Sequence, residues 1–384
     1  MHVGLVVYGG LEETSGGFRY DRRLVAHLER RDDDVEVVAL PWRSYPRHLL
    51  DGFSPSIRTR LDRPFDVLVQ DELCHPSLWR HVDRLDRPAA VVSLVHLLRS
   101  GRSERSRHRL DPRRIVDASV ERRYLRGVDA AICTSRDTRD RVAELADVPT
   151  LVAPPGGRAE GPALDDDRVE TRARTIHPLR IAFLGNVIPR KGLPTLLEGL
   201  RRADCAWNLT VVGSLETDPA HRESVLSTVR ESGLDDRVTL TGEVTDEELE
   251  PILERQHVLA VPSTYEGFGM AYLEAMEYGV VPIASAVGGA GEFVEHGRNG
   301  YLVEPGAAGA IADIVDRLAA NRDELAALGA NALETAASHP TWEESMASVR
   351  RFLKEQATRK RRDRSSGTPS GGRLERGSHR GDRS

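Results

Sequence analysis

Short apolar runs alternate along the chain with stretches of helical spacing. The first five runs fall at residues 3–8, 35–40, 66–70, 89–96 and 128–134. Helical spacing such as Leu24-x-x-x-Leu28 lies between them. A second series begins at Arg180-Ile181-Ala182-Phe183-Leu184-Gly185 and continues through 209–213, 237–242, 257–262, 280–284 and 301–303. Continuous apolar strands separated by helices predict parallel sheets covered on both faces. The two series are divided by Pro154-Pro155-Gly156-Gly157 and a polar stretch holding Asp165-Asp166-Asp167, a composition that suits a linker or exposed loop. The pattern predicts an α/β protein of two doubly wound, Rossmann-like domains, 1–157 and 179–340, joined by 158–178. Their strand carboxyl ends should face a shared cleft. An amphipathic stretch from Trp342 to Leu353 predicts a C-terminal helix within 341–358, expected to pack back toward the first domain. Residues 359–384 are rich in Arg, Ser and Gly, with Leu374 the only sizeable apolar residue, and are expected to be disordered.

The length of 384 residues suits two domains, and 39% apolar residues suffice for ordinary cores. The net charge of −6 is unevenly spread: 359–384 holds nine basic and three acidic residues, so the tail carries +6 and the remainder −12. A net-acidic body gives no support to nucleic-acid binding. The basic tail suits peripheral contact with anionic lipid. Cys74, Cys133 and Cys205 are odd in number and widely spaced, which argues against a disulfide framework or a structural zinc. No apolar run reaches 18 residues and the first residues read as a buried strand, so a cytoplasmic location is expected, at most peripheral to the membrane.

The richest segment is Ser263-Thr264-Tyr265-Glu266-Gly267-Phe268-Gly269-Met270-Ala271-Tyr272-Leu273-Glu274, which follows an apolar run. Glycines there permit a tight turn and close backbone approach to a ligand, and a helix starting near Gly269 would present free N–H groups to phosphate. Carboxylates beside such a site suit sugar or ribose hydroxyls rather than the phosphate itself. A second loop, Gly185-Asn186-Val187-Ile188-Pro189-Arg190-Lys191-Gly192, fits a diphosphate clamp. Lys191 is one of only three lysines, beside Lys354 and Lys360, in an arginine-rich chain. Near the N-terminus, Ser15 could cap a helix and turn the Gly16 and Gly17 amides toward the cleft; the G-x-G-x-x-G dinucleotide spacing is absent there. His96 ends a strand at its carboxyl edge. No ligand pattern for a metal occurs in the expected cleft.

The form E-G-F-G-x-x-x-x-E-A-M at Glu266–Met276 resembles the E-x7-E signature of the retaining GT-B glycosyltransferases of family 4, or glycosyl transferases group 1. The likeness extends through Gly242-Glu243-Val244, Gly279–Ser285, Gly288-Gly289, Glu292 and Asn299–Val303. It implies the GT-B fold and transfer of a sugar from a nucleoside-diphosphate sugar to a glycan, lipid-linked or small-molecule acceptor, with retention and without metal or other cofactor. The resemblance places Glu266, Lys191, Arg190 and His96 at the catalytic centre. Glu274, Gly16, Gly17, Gly185, Val244, Gly267, Phe268, Gly269 and Met270 would bind the donor, and Ser135 and Thr138 resemble a further ligand loop. Asn186 stands where the family carries arginine, and Arg190 could replace that charge. Alternatives are a synthase accepting a sugar phosphate, with Arg102, Arg105, Arg107 and Arg109 as its basic cluster, or a non-catalytic nucleotide-sugar binder.

Overall fold

The computed structural model describes residues 1–12, 15–100, 112–159, 161–175 and 177–365. Twelve strands form two sheets of six. The first contains β1 (His2–Tyr8), β2 (Asp34–Leu40), β3 (Val67–Asp71), β4 (Ala90–Val95), β5 (Ala130–Cys133) and β6 (Thr150–Val152), in the order β2-β1-β3-β4-β5-β6. The second contains β7 (Leu179–Leu184), β8 (Trp207–Val212), β9 (Val238–Gly242), β10 (Val258–Val261), β11 (Val281–Ser285) and β12 (Tyr301–Val303), in the order β12-β11-β10-β7-β8-β9. Every pairing is parallel. The central strands β3, β4 and β10 are buried along their whole length, because helices cover both faces.

Each sheet reverses direction once. The chain leaves β1 for β2 on one side, then crosses to β3 on the other; β7, β8 and β10 repeat the move. Neighbouring loops diverge at such a reversal and leave a crevice outside the strand carboxyl ends. The segments after β1, β7 and β10 border these two crevices.

The C-terminal helix Trp342–Ser365 returns to the first sheet. Trp342, Met346, Val349, Leu353 and Ala357 pack with Val3, Leu5, Phe18, Leu24 and Leu28 in one buried cluster. Trp342 Nε1 donates to the Gly157 carbonyl at 2.8 Å, and Gly156 lies so close that a Cβ there would meet the Trp342 nitrogen at 2.6 Å. Val3, Leu5, Phe18, Leu24 and Leu28 of the first half are therefore covered by side chains more than three hundred positions away.

Three sequence expectations need correction. The helix does not stop at 358 but runs to Ser365, held by Lys360 Nζ on Asp129 Oδ1 at 2.6 Å and by Arg361 on Asp66. Disorder was expected for 359–365; those basic side chains instead meet carboxylates at the sheet's amino edge. The expected tail beyond Ser365 lies outside the described residues, as do Arg102, Arg105, Arg107 and Arg109. The segment 158–178 is not merely a linker: it contains the helix Asp166–Thr175, whose Val169 and Ala173 join the second core. Strand β6 was not anticipated.

If the returning helix carries part of the first core, Leu353→Ala should destabilise by about 2–5 kcal/mol, and exposed Arg351→Ala by no more than about 0.5 kcal/mol. Urea unfolding of both variants measures the difference.

Candidate active site

Glu266 is buried between the two halves and held by cations. Its Oε1 accepts from Lys191 Nζ at 2.7 Å and from Ser263 Oγ at 2.6 Å, while Arg190 Nη1 stands 3.3 Å from Oε2. Burial alone would raise its pKa, but the charges of Lys191 and Arg190, with the hydrogen bonds, bring it down to about 2. Lys191 is depressed, first by burial and then by Arg190, with Glu266 opposing. Arg190 also donates to the Tyr265 carbonyl at 2.8 Å, which ties the segment after β7 to the one after β10. Asn186 supplies no charge: its Oδ1 accepts from the Ser214 amide at 3.4 Å. Arg190 is thus the guanidinium that this loop presents to Glu266.

Glycine makes the backbone path possible. A Cβ on Gly267 would lie 2.0 Å from the His96 carbonyl oxygen, and one on Gly288 would lie 1.8 Å from the Glu266 carbonyl oxygen. Gly269 caps the helix Met270–Met276 at φ 98°, a conformation that disfavours side chains. Gly185 has φ 148°, with Lys191 Cε 3.2 Å from where its Cβ would be. Phe268 turns its ring into the core, 4.9 Å from Phe293 centroid to centroid, so only its backbone remains for a ligand. Met270 reaches the other half: a Cβ on Gly16 would meet its Cε at 2.2 Å. Val244 lies half-buried at the rim of the second core.

Glu274 sits one turn into that helix and is buried. It faces two arginines that the sequence did not single out as site residues. Arg19 Nη1 donates to its Oε1, and Arg158 Nη2 donates to its Oε2 at 3.1 Å. Arg158 also bonds Asp246, and Arg19 approaches Asp246 at 4.0 Å. Glu277 accepts from the amides of Arg158, at 2.7 Å, and Ala159, which fixes the segment that crosses between the halves. A basic residue directly after Pro-Pro-Gly-Gly was the available signal for Arg158. Arg19 offered none beyond its closeness to Gly16 and Gly17.

On the first half, Ser15 caps the helix Gly16–Arg30 by accepting from the Phe18 amide at 3.5 Å. His96 lies opposite Gly17: a Cβ there would come within 3.2 Å of its ring. His96 Nε2 meets Asp21 Oδ1 at 3.2 Å, and Asp71 belongs to the same group, with ligating atoms within 4.8 Å of one another. Burial lowers the imidazole pKa, but Asp21, Asp71 and Glu72 lift it above its ordinary value. Asp71 is raised to about 7 by burial and by Asp21. Glu72, His75 and Glu121 form a second buried cluster. Both clusters have donor sets that could hold a metal ion, which the sequence did not suggest. Glu121 is already engaged by the Arg99 and Ser100 amides at 2.7 and 3.1 Å. Ser135 and Thr138 are turned to capping, with the Thr138 amide on Ser135 Oγ at 3.0 Å.

The Glu266 cluster makes stability depend on pH with a definite sign. Its folded pKa lies below the unfolded value of about 4.3, so its contribution is complete above that value and is lost as pH falls toward about 2. Glu266→Gln leaves Lys191 buried without its partner. It should cost about 3–5 kcal/mol at pH 7, and denaturant titrations should show the gap to wild type closing between pH 4.5 and 2.

Comparison with known proteins bears on the fold and the family. Residues 170–335 match the Glycosyl transferases group 1 family. A GDP-mannose-dependent alpha-(1-6)-phosphatidylinositol monomannoside mannosyltransferase of Mycobacterium tuberculosis is 31% identical over 262 residues, which are 62% of this chain and 65% of that protein. The match thus spans less than two thirds of that relative. A D-inositol 3-phosphate glycosyltransferase of Corynebacterium aurimucosum is 26% identical, over 77% of this chain and 74% of its own length. Among solved structures, the sucrose-phosphate synthase of Thermosynechococcus elongatus superposes with a TM-score of 0.78 at 22% identity, covering 93% of this chain and 99% of that one. The Anabaena protein HepE, in complex with UDP-glucose, gives 0.71 at 18% identity over 94% of this chain and 100% of its own. The two parallel-sheet halves match the GT-B fold, and residues 170–335, within the second half, match the glycosyl transferases group 1 family.

Proposed function

We propose that the protein transfers a sugar from a nucleoside-diphosphate sugar to an acceptor hydroxyl, with retention at the anomeric carbon. The observation that carries this reading is a buried, charge-compensated Glu266 at the reversal of the second sheet, across from His96 and Gly17 of the first. The donor diphosphate lies toward Lys191 and Arg190, whose charges stabilise the departing phosphate. Glu266 takes hydroxyls of the transferred sugar. Glu274 exchanges Arg19 for ribose hydroxyls, with Gly185, Val244 and the Gly267–Met270 backbone around the nucleotide. His96 and Gly17 border the acceptor. In this reading no metal takes part, because the two cations supply the positive charge.

The named relatives support a nucleotide-sugar donor: one uses GDP-mannose, and HepE was solved with UDP-glucose. A sugar-phosphate acceptor would call on Arg102, Arg105, Arg107 and Arg109, which lie outside the described residues; among the described residues His96 is surrounded by the carboxyl groups of Asp21, Asp71 and Glu72. A binder without catalysis would use the same two cations for the diphosphate, so donor consumption is what separates it from a transferase.

A panel of UDP- and GDP-sugars assayed for donor consumption tests the reading. Lys191→Ala should lower kcat by about 100- to 1000-fold. Glu274→Ala should raise the donor KM by roughly 10- to 100-fold, the worth of hydrogen bonds to a charged group. Equal turnover by wild type and both variants would contradict the assignment, and donor binding without consumption would favour the binder. Nuclear magnetic resonance of the product linkage decides between retention and inversion.

A further inference from the structure

Large hydrophobic side chains exposed to solvent are few among the described residues, and three of them fall in one short segment. Trp42 is 48% exposed, Leu50 68% and Phe53 59%. The segment follows the carboxyl end of β2 and contains the helix Tyr45–Asp51. Its inner face is fully used: His48 stacks on Tyr8 at 4.1 Å, and buried Asp51 accepts from Ser77 at 3.0 Å and bonds Arg43 at 2.5 Å. Arg47 and Leu50, three positions apart, share the outer face. Phe53, in the turn that follows, lies under the Arg80 guanidinium at 4.1 Å and 6.2 Å from the Trp79 ring.

The charges nearest these side chains are arginines; exposed Asp83, beyond Trp79, is paired with Arg123. Arg47 and Arg80 have no carboxylate partner among the described residues, and the carboxylate beside Arg43 is turned inward and buried. Unpaired arginines beside exposed Trp, Leu and Phe match a surface that is negative outside and apolar beneath. The tail, which the sequence suggested for the same task, starts from the other end of the sheet: Lys360 and Arg361 pair with Asp129 and Asp66, which precede β5 and β3. The segment around Trp42 instead follows β2, at the same sheet edge as the loop after β1 and His96 after β4.

We propose that residues 42–53 with Arg80 form a docking surface for an anionic lipid bilayer, which brings the acceptor side of the cleft to the membrane. This rests on the glycosyltransferase reading only for its consequence, a lipid-linked acceptor; the docking is measured without turnover.

Co-sedimentation of the full chain with phosphatidylcholine vesicles, with and without 30 mol% phosphatidylglycerol (about that fraction suffices for a strongly negative surface), tests the surface. Binding should require phosphatidylglycerol and weaken as salt rises. Arg47→Glu should weaken it by about five-fold or more, and Leu50→Ser with Phe53→Ser by about ten-fold or more. Deletion of residues 366–384 should leave most of it intact. Melting temperature and nucleotide-sugar binding of the variants should match wild type, which separates a docking defect from misfolding or donor-site loss. Absence of binding, equal binding to both vesicles, binding lost only with the tail, or self-association through the apolar residues in sedimentation velocity would each overturn the proposal.

Discussion

The structure turns on one costly arrangement, a carboxylate buried where two sheets meet. An isolated charge in such a place would take up a proton. Glu266 keeps its charge because Lys191 and Arg190, on the other side of the same crevice, compensate it at 2.7 and 3.3 Å. Those cations are there because β7 and β10 are neighbours at the reversal of the second sheet, so loops seventy residues apart open beside one another. Glycine is required at Gly267 and Gly288 because the Glu266 segment runs between the His96 carbonyl and the Gly288 backbone with no room for a Cβ. Sheet order, glycine placement and charge compensation are thus one constraint seen at three scales.

The same logic describes how the halves are joined. Arg19 and Arg158 reach Glu274 from the first half and from the segment between the halves, and Met270 enters the Gly16 turn. Tyr265 donates to Asp137 Oδ2 at 3.0 Å, and the Asp137 amide donates to Glu292 at 2.9 Å. These polar contacts can be exchanged for a ligand's hydroxyls and phosphates at small net cost, unlike a shared apolar core. The apolar tie is made instead by the C-terminal helix, on the face of the first sheet that Leu24 and Leu28 cover.

Much of this was legible in the sequence because it is local. Eleven of the twelve strands announced themselves as apolar runs, and the turn before Gly269 was marked by its glycines. Strand β6 was missed because it is three residues long and only half-buried. The helix Asp166–Thr175 was hidden by its acidic start, although acids in a first turn favour a helix. The partners of Glu274 were invisible for a different reason: Arg19 lies 255 positions away and Arg158 116, and no local pattern encodes a meeting made by the fold. The Asp21–Asp71–His96 group is the same case, assembled from a helix and two strand ends. The basic end of the last helix misled because composition alone says nothing of Asp66 and Asp129 waiting at the sheet edge.

A crystal structure with a non-hydrolysable nucleoside-diphosphate sugar tests the central claim most directly. The account predicts diphosphate oxygens on Lys191 Nζ and Arg190, a sugar hydroxyl on Glu266, and ribose hydroxyls on Glu274 in place of Arg19. A nucleotide bound elsewhere, with Lys191, Arg190 and Glu266 still paired only to one another, would contradict it.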